Sequence, residues 1–371
     1  MKKIFSIFCL SMLLYACSKD DSGTIEPDNN YSRNELLTNW ANNIIVPSYA
    51  NYQSKTQILV ADVTTFNSNP NIANLQTVRN SWLEAYKAYQ YISMFNFGKA
   101  EEINIKEATN TYPTDVNGIN ANIVSGVYNL SLLSQFSKQG LPAIDYLING
   151  LDNSDAVIIS FYSTTSKASN YKQYLLAVAN KLKFNADLIL NDWKSGYKTS
   201  YIANNGISVS SSVNRTTNSF VKNFEKDIRT GKLGIPSGVF SSGVKYPEKV
   251  EAFYKNDVSN ILLKEALKAT QDFFNGKHFN STTTGVGLKS YLDFLNVVRD
   301  GKKLSDIINN QFAAINVATN NLNDSFSNQV TNDNSKMLGA YDALQRNVLS
   351  IKVDMTQALN ITIDYVDGDG D

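Results

Sequence analysis

Gly140-Leu141-Pro142-Ala143-Ile144-Asp145-Tyr146-Leu147 is the stretch on which the reading of this chain turns. Glycine followed by proline is turn chemistry, and proline in the first turn of a helix sacrifices nothing, because its N–H would have no partner there. A helix therefore starts here, with Ile144, Leu147 and Ile148 on its apolar face. Asp145 falls in the opening turn, where the positive end of the helix dipole favours a carboxylate. Two readings stand: a capped short helix, or a helix start that aims an ionised Asp145 into a cleft between two larger units.

Outward from this stretch the chain is written in helical periods. Before it, Ser32-Arg33-Asn34-Glu35 is a capping box for a run in which Leu36, Leu37, Trp40, Ile44 and Ile45 share a face. Pro47 is expected to kink or interrupt that helix. A second helix is predicted over residues 72–95, where Leu75, Val78, Trp82, Ala85, Tyr86 and Tyr89 recur at three- and four-residue spacing. Residues 99–115 show no clear period, and a helix is expected over 116–136. After the central stretch, helices are predicted over 166–193, 211–232, 247–274, 288–298, 305–326 and 335–359. The one strand signal is Ile361-Thr362-Ile363-Asp364-Tyr365.

Helix after helix with short connections predicts an all-α fold of two packed helical bundles. At 371 residues the chain exceeds the size at which single cores stop growing. The expected division lies at Asn204-Asn205-Gly206, giving an N-terminal bundle of residues 32–203 and a C-terminal bundle of 204–371.

Charge and residue chemistry exclude several functions. With 34 basic and 34 acidic residues and no basic block, electrostatic nucleic-acid binding is not expected. The single histidine, His278, cannot by itself supply a zinc hydrolase with its two or three His or Cys ligands. It sits beside Lys277 at a predicted helix end and reads as a surface residue rather than the base of a triad. Gly285-Val286-Gly287 lacks the strand and third glycine of a phosphate loop. Carboxylate and tyrosine chemistry remains: hard cations take oxygen ligands, so Asp145 and Asp115 are candidate ligands for calcium or ferric iron, with no cofactor required. Asp367-Gly368-Asp369-Gly370-Asp371 resembles half a calcium loop but lacks the distal glutamate, and reads as a solvated acidic tail.

The amino terminus carries its own signal. Lys2-Lys3 precedes an apolar run, Ile4 to Leu14, too short to span a bilayer as a mature helix. It ends in Leu14-Tyr15-Ala16-Cys17, which resembles a bacterial lipobox, so residues 1–17 read as a lipoprotein signal with Cys17 as the lipidated residue. Cys9 would leave with the signal, and the mature chain would hold no free thiol for disulfides or metal. Ser18-Lys19-Asp20-Asp21 resembles the tag that sends lipoproteins of the Bacteroidetes to the outer face of the outer membrane, and residues 18–31 read as a flexible tether.

Taken in order, these pieces resemble the imelysin-like family of exported bacterial proteins. The matching segments are Trp82 to Gly98, Tyr112-Pro113-Thr114-Asp115, Gly140 to Leu147, Lys245 to Tyr254, and the ending from Ile361. The family hallmark is Gly-x-His-x-x-Glu, once taken for a metallopeptidase signature. Here Gly140 keeps the glycine, but Pro142 stands at the histidine position and Asp145 at the glutamate position. The resemblance implies two helical bundles with the motif between them, and an association with iron uptake that these replacements weaken. It places Tyr112 to Asp115 and the Lys245 to Tyr254 segment, with Lys245 and Glu251, as neighbours of Asp145 and candidate ligand-binding residues. The expectation is a non-enzymatic, lipid-anchored outer-membrane binding protein for iron, another hard cation or a small polar molecule, working beside an outer-membrane transport partner. The alternatives are a peptidase-like hydrolase and a surface interaction or scaffold protein with a vestigial cleft.

Overall fold

The runs of apolar residues at helical spacing become helices, and the computed structural model describes residues 31–365 as predominantly helical, with two short strands. Cys17 and its signal, most of the tether and the acidic tail from residue 366 lie outside the described residues. One group of helices is built around Val46–Ser68, which packs along both Ile72–Gln90 and Ala168–Asp192. Leu59, Val63 and Phe66 are sealed in these seams, and the rings of Tyr52 and Tyr89 meet at 6.1 Å. A second group joins Leu304–Asn320, Asn334–Leu349 and a π-helical segment, Asn223–Gly234.

The Ser259–Asn275 helix touches both groups, packing on Ile72–Gln90 and on Leu304–Asn320. Its Phe273 ring lies 4.9 Å from Trp40 and 5.4 Å from each of Phe95 and Phe220. Such aromatic pairs add about 0.5–1.5 kcal/mol each beyond the area they bury. From Ser32 on, contacts form one compact unit, and the turn after Lys198–Ala203 is where the proposed division between bundles falls.

Pro47 interrupts the α ladder as expected without ending the helix: a π turn, Trp40–Ile45, stands directly before Val46–Ser68, and the chain stays helical from Arg33 to Ser68. Several other sequence expectations are corrected. The helix expected over 116–136 stops at Ser125, because Gly126 turns left-handed at φ +69°. The helix expected over 247–274 is only a short 3-10 turn, Pro247–Lys249, followed by Ser259–Asn275. Between them Ala252 and Asn256 adopt φ +57° and +69°, which no helix accommodates.

The helix expected to reach residue 298 ends at Phe294, and Val298–Arg299 pairs antiparallel with Lys302–Lys303. Asp300 and Gly301 form that hairpin turn, both at positive φ. The strand expected at residues 361–365 is absent from the described residues there. In its place the extended chain is tied by one side chain: Asn218 Nδ2 donates to the Thr362 carbonyl at 2.7 Å, and the Asp364 N–H donates to Asn218 Oδ1 at 3.1 Å.

Trp82 is where the fold meets the central stretch. Its side chain is wholly buried, packs edge-on to Tyr86 at 5.5 Å, and donates its indole N–H to the Leu141 carbonyl at 2.9 Å. Trp82→Ala therefore empties a core position and orphans a buried carbonyl, and is expected to destabilise the chain by about 3–5 kcal/mol in denaturant unfolding. A loss below about 1 kcal/mol would contradict this placement of the helix.

Candidate functional site

Gly140 opens the Gly140–Asp145 helix at φ +83°, a conformation open to glycine at no steric cost. A Cβ at this position would run into the Thr109 carbonyl oxygen, so the glycine lets the helix start press against the end of Ile105–Asn110. All six residues from Gly140 to Asp145 are buried. Asp145 is the last of them, ahead of a π turn, Tyr146–Gly150. The expectation of an exposed, ionised carboxylate in the opening turn is therefore corrected: this side chain is 1 % exposed and lies too far along the helix to cap it.

Its two oxygens are taken by N–H donors. Oδ1 accepts from the Lys255 backbone N–H and from Asn149 Nδ2, both at 2.9 Å, and Oδ2 accepts from the Tyr254 backbone N–H at 2.9 Å. Burial pushes the carboxyl up to about 7, although these three donors and the nearby Lys255 charge pull the other way. Tyr254 is held further by its ring, 5.2 Å from that of Tyr146, and sits over Gly150, where a Cβ would strike it.

The same loop is tied at its other end by Glu251. This buried carboxylate makes an ion pair with the buried Lys232 ammonium and accepts from Asn110 Nδ2 at 2.8 Å. Gln90 Nε2 lies 3.4 Å from the same Glu251 oxygen, and Asn110 in turn accepts from the Tyr86 hydroxyl. Ser259 Oγ donates to the Glu251 carbonyl at 2.7 Å. The loop is thus clasped to Ile72–Gln90, Ile105–Asn110 and Gly140–Asp145 on one side, and to the π segment and Ser259–Asn275 on the other.

Two cavities flank this clasp. The smaller, of about 140 Å³, is lined by Tyr112, Pro142, Asp145, Glu248 and the Ala252 to Tyr254 turn. The larger, of about 370 Å³, lies between Tyr89, Lys106 and Tyr112 on one wall and Asn223, Asp227 and Lys232 on the other. Tyr112 and Pro113 line both. Burial first, and then the Glu251 and Asp227 carboxylates, push the Tyr112 hydroxyl well above its ordinary range, so it serves as a neutral donor and not as a phenolate ligand.

The structure therefore gathers Asp145, Tyr112, Pro142 and Glu251 into one neighbourhood. It leaves out Asp115, whose carboxylate accepts from the Gly118 N–H at 2.9 Å and caps Val116–Ser125, and Lys245, which is exposed and lines neither cavity. Sequence reasoning missed Lys106, Lys226, Asp227 and Lys232 of the larger cavity, whereas Lys249 lies in the Lys245 to Tyr254 segment that the resemblance implies. The available signal lay in the π segment: Asn223, Asp227, Gly231 and Ile235 recur at four-residue intervals with Ile228 and Lys232 one step on, a wider period than an α-helix shows. His278 stays apart, its backbone N–H donating to the Thr283 carbonyl at 2.9 Å. Among the described residues no three His, Cys, Asp or Glu side chains converge as a metal-holding group.

Asp145→Asn would turn an amide NH₂ toward backbone N–H donors. The expected cost is about 1–3 kcal/mol of stability. The folded chain also holds the Asp145 proton more tightly than the unfolded chain, since its carboxyl is raised from 3.8 to about 7. Its contribution is greatest at low pH and fades as pH rises through about 7. The stability of the natural chain relative to the variant is thus expected to grow as pH falls from about 8 to about 5. A difference that is flat over that range would mean that Asp145 is ionised throughout.

Comparison with known proteins places this geometry. The imelysin model of the M75 peptidase group matches residues 45–350. The iron-regulated protein A of Synechococcus elongatus is 22 % identical over 161 residues, a match spanning 43 % of this chain and 40 % of that relative. An imelysin-like protein from Psychrobacter arcticum superposes with a TM-score of 0.70 at 17 % identity, over 90 % of this chain and 97 % of the other. A putative iron-regulated protein A precursor from Parabacteroides distasonis gives 0.71 at 15 % identity, over 88 % and 94 %. Since the family match runs through the core helices, the cavity walls and the Asp145 clasp alike, this chain belongs to the imelysin family.

Proposed function

We propose that this chain is a non-enzymatic, lipid-anchored binding protein of the outer membrane, concerned with iron-related uptake, which takes its ligand into the larger cavity. The observation that carries the reading is the division of labour between the motif and the cavity. Asp145, the carboxylate of the motif, spends both oxygens on protein N–H groups. Beside it lies a cavity of about 370 Å³ with ammonium, hydroxyl and amide groups converging on it. Such a volume with a few placed polar groups suits a small ligand. The iron connection rests on two relatives known as iron-regulated protein A or its putative precursor, and the anchor on the lipobox-like Leu14 to Cys17.

A peptidase reading would need a metal-bound water or a nucleophile with its base. With Pro142 lining the smaller cavity beside a hydrogen-bonded Asp145, neither is assembled there. No described helix is long and apolar enough to cross a membrane, so in this reading the lipid on Cys17 alone holds the chain at the surface, next to an outer-membrane transport partner.

Cys17→Ala is expected to move the protein from the membrane to the soluble fraction, and unchanged fractionation would remove the anchor. The purified chain is expected to leave an unfolded protein substrate intact with or without added zinc or ferric ion. Cleavage that Asp145→Asn abolishes would overturn the non-enzymatic reading.

A further inference from the structure

The smaller cavity is built unlike the larger one: its walls are apolar. Pro113, Pro142, Val250 and Ala252 line it, with the rings of Phe253 and Tyr254. Pro142, Val250 and Ala252 are all buried. The polar groups that reach this space are already bonded or turned away. Asp145 gives both oxygens to N–H donors, and Thr114 Oγ donates to the Ser137 carbonyl at 2.7 Å. The Tyr112 hydroxyl lies toward Gly231, which lines the larger cavity and not the smaller, so the phenol ring is what Tyr112 offers here. Glu248 is exposed, which leaves its carboxylate on the solvent side.

Size and shape then decide the occupant. A volume of about 140 Å³ admits roughly ten waters, at about 10–15 Å³ for each. Every such water needs several polar partners, and between these walls it would find only other waters. An apolar group that displaces them is therefore favoured. The rings around the space are fixed before anything enters. Tyr254 is held by its backbone N–H on Asp145 Oδ2 at 2.9 Å, and its ring lies 5.2 Å from each of Tyr146 and Phe253. Phe253 meets it edge-on, at 75°. Ring faces and edges fixed in this way receive a flat aromatic ring edge-on or offset-stacked, with no ordering of the wall on binding. A charged substituent would find no partner inside.

We propose that the smaller cavity is a second binding site, one for the uncharged aromatic ring of a small molecule, with Pro142 as part of its wall. Pro142 stands where the related motif has histidine, so this chain presents hydrocarbon at a position that would otherwise carry an imidazole. The site stands on its own walls, whether or not a ligand enters the larger cavity.

Fluorine NMR titration of the purified chain with fluorobenzene tests the inference. Saturable binding is expected, and benzyl alcohol is expected to displace the probe. Benzoate is expected to need at least about tenfold more, because its charge has no partner in the walls. Cyclohexylmethanol is expected to need about twofold to tenfold more, because the contacts between aromatic rings are lost. Val250→Phe fills the space with hydrocarbon, and Pro142→His puts an imidazole in the wall. Each is expected to weaken fluorobenzene binding at least about tenfold, with circular dichroism melting to show that the variant is folded. Crystals of the natural chain soaked in 4-bromobenzyl alcohol need no variant: anomalous signal from bromine is expected between Pro142 and Phe253. Bromine found only elsewhere, the larger cavity included, overturns the inference. So does absence of saturable binding, displacement by benzoate or cyclohexylmethanol equal to that by benzyl alcohol, or binding indifferent to both substitutions.

Discussion

A buried carboxylate without a cationic partner is costly, and Asp145 meets that cost by accepting three N–H donors at 2.9 Å. Two of the donors belong to the backbone of Tyr254 and Lys255, more than a hundred residues away, so the carboxylate fixes where that loop lies. The loop needs fixing. Ala252 holds φ +57°, a conformation that side-chain-bearing residues rarely adopt and that persists only when the surroundings over-determine it. Asp145 at one end and the Glu251–Lys232 pair at the other supply that determination. Both cavities inherit their shape from it, because Lys249 lines one and the Ala252 to Tyr254 turn lines the other.

The second constraint is the π segment. An i→i+5 ladder brings successive turns of Asn223–Gly234 to the cavity at intervals of four to five residues, so Asn223, Asp227, Gly231 and Lys232 share one wall. Wound as an α-helix, the same residues would spread around the axis. The opposite wall comes from Ile72–Gln90 and Ile105–Asn110, and the Lys106–Asp227 pair spans the two. The cavity walls and the fold are therefore set by the same backbone irregularities: the left-handed glycine at residue 140, the strained 250–255 loop and the wide Asn223–Gly234 helix.

What the sequence made legible follows from how local the information is. The Trp82 face was readable because α-helical periodicity is a property of a dozen neighbouring residues, and its tryptophan is indeed buried. Gly140 was readable as a turn, and the neighbourhood of Tyr112 with Asp145 followed from family resemblance. The role of Asp145 was not readable, since its partners are backbone groups contributed by distant chain. The expected strand at residues 361–365 alternates as a strand should, but the Asn218 side chain takes the place of a partner strand. The π turns escape a 3.6-residue template altogether, and Lys226 and Lys232 of the larger cavity escaped with them.

The central claim is that Asp145 holds the 250–255 loop in place and is not itself a ligand group. Amide hydrogen exchange at Tyr254 and Lys255 tests it most directly. Both amides are expected to be strongly protected in the natural chain. In Asp145→Ala they are expected to exchange faster while the amides of Ile72–Gln90 and Ala168–Asp192 keep their protection. Rapid exchange of the two amides in the natural chain, or unchanged protection in the variant, would contradict the account.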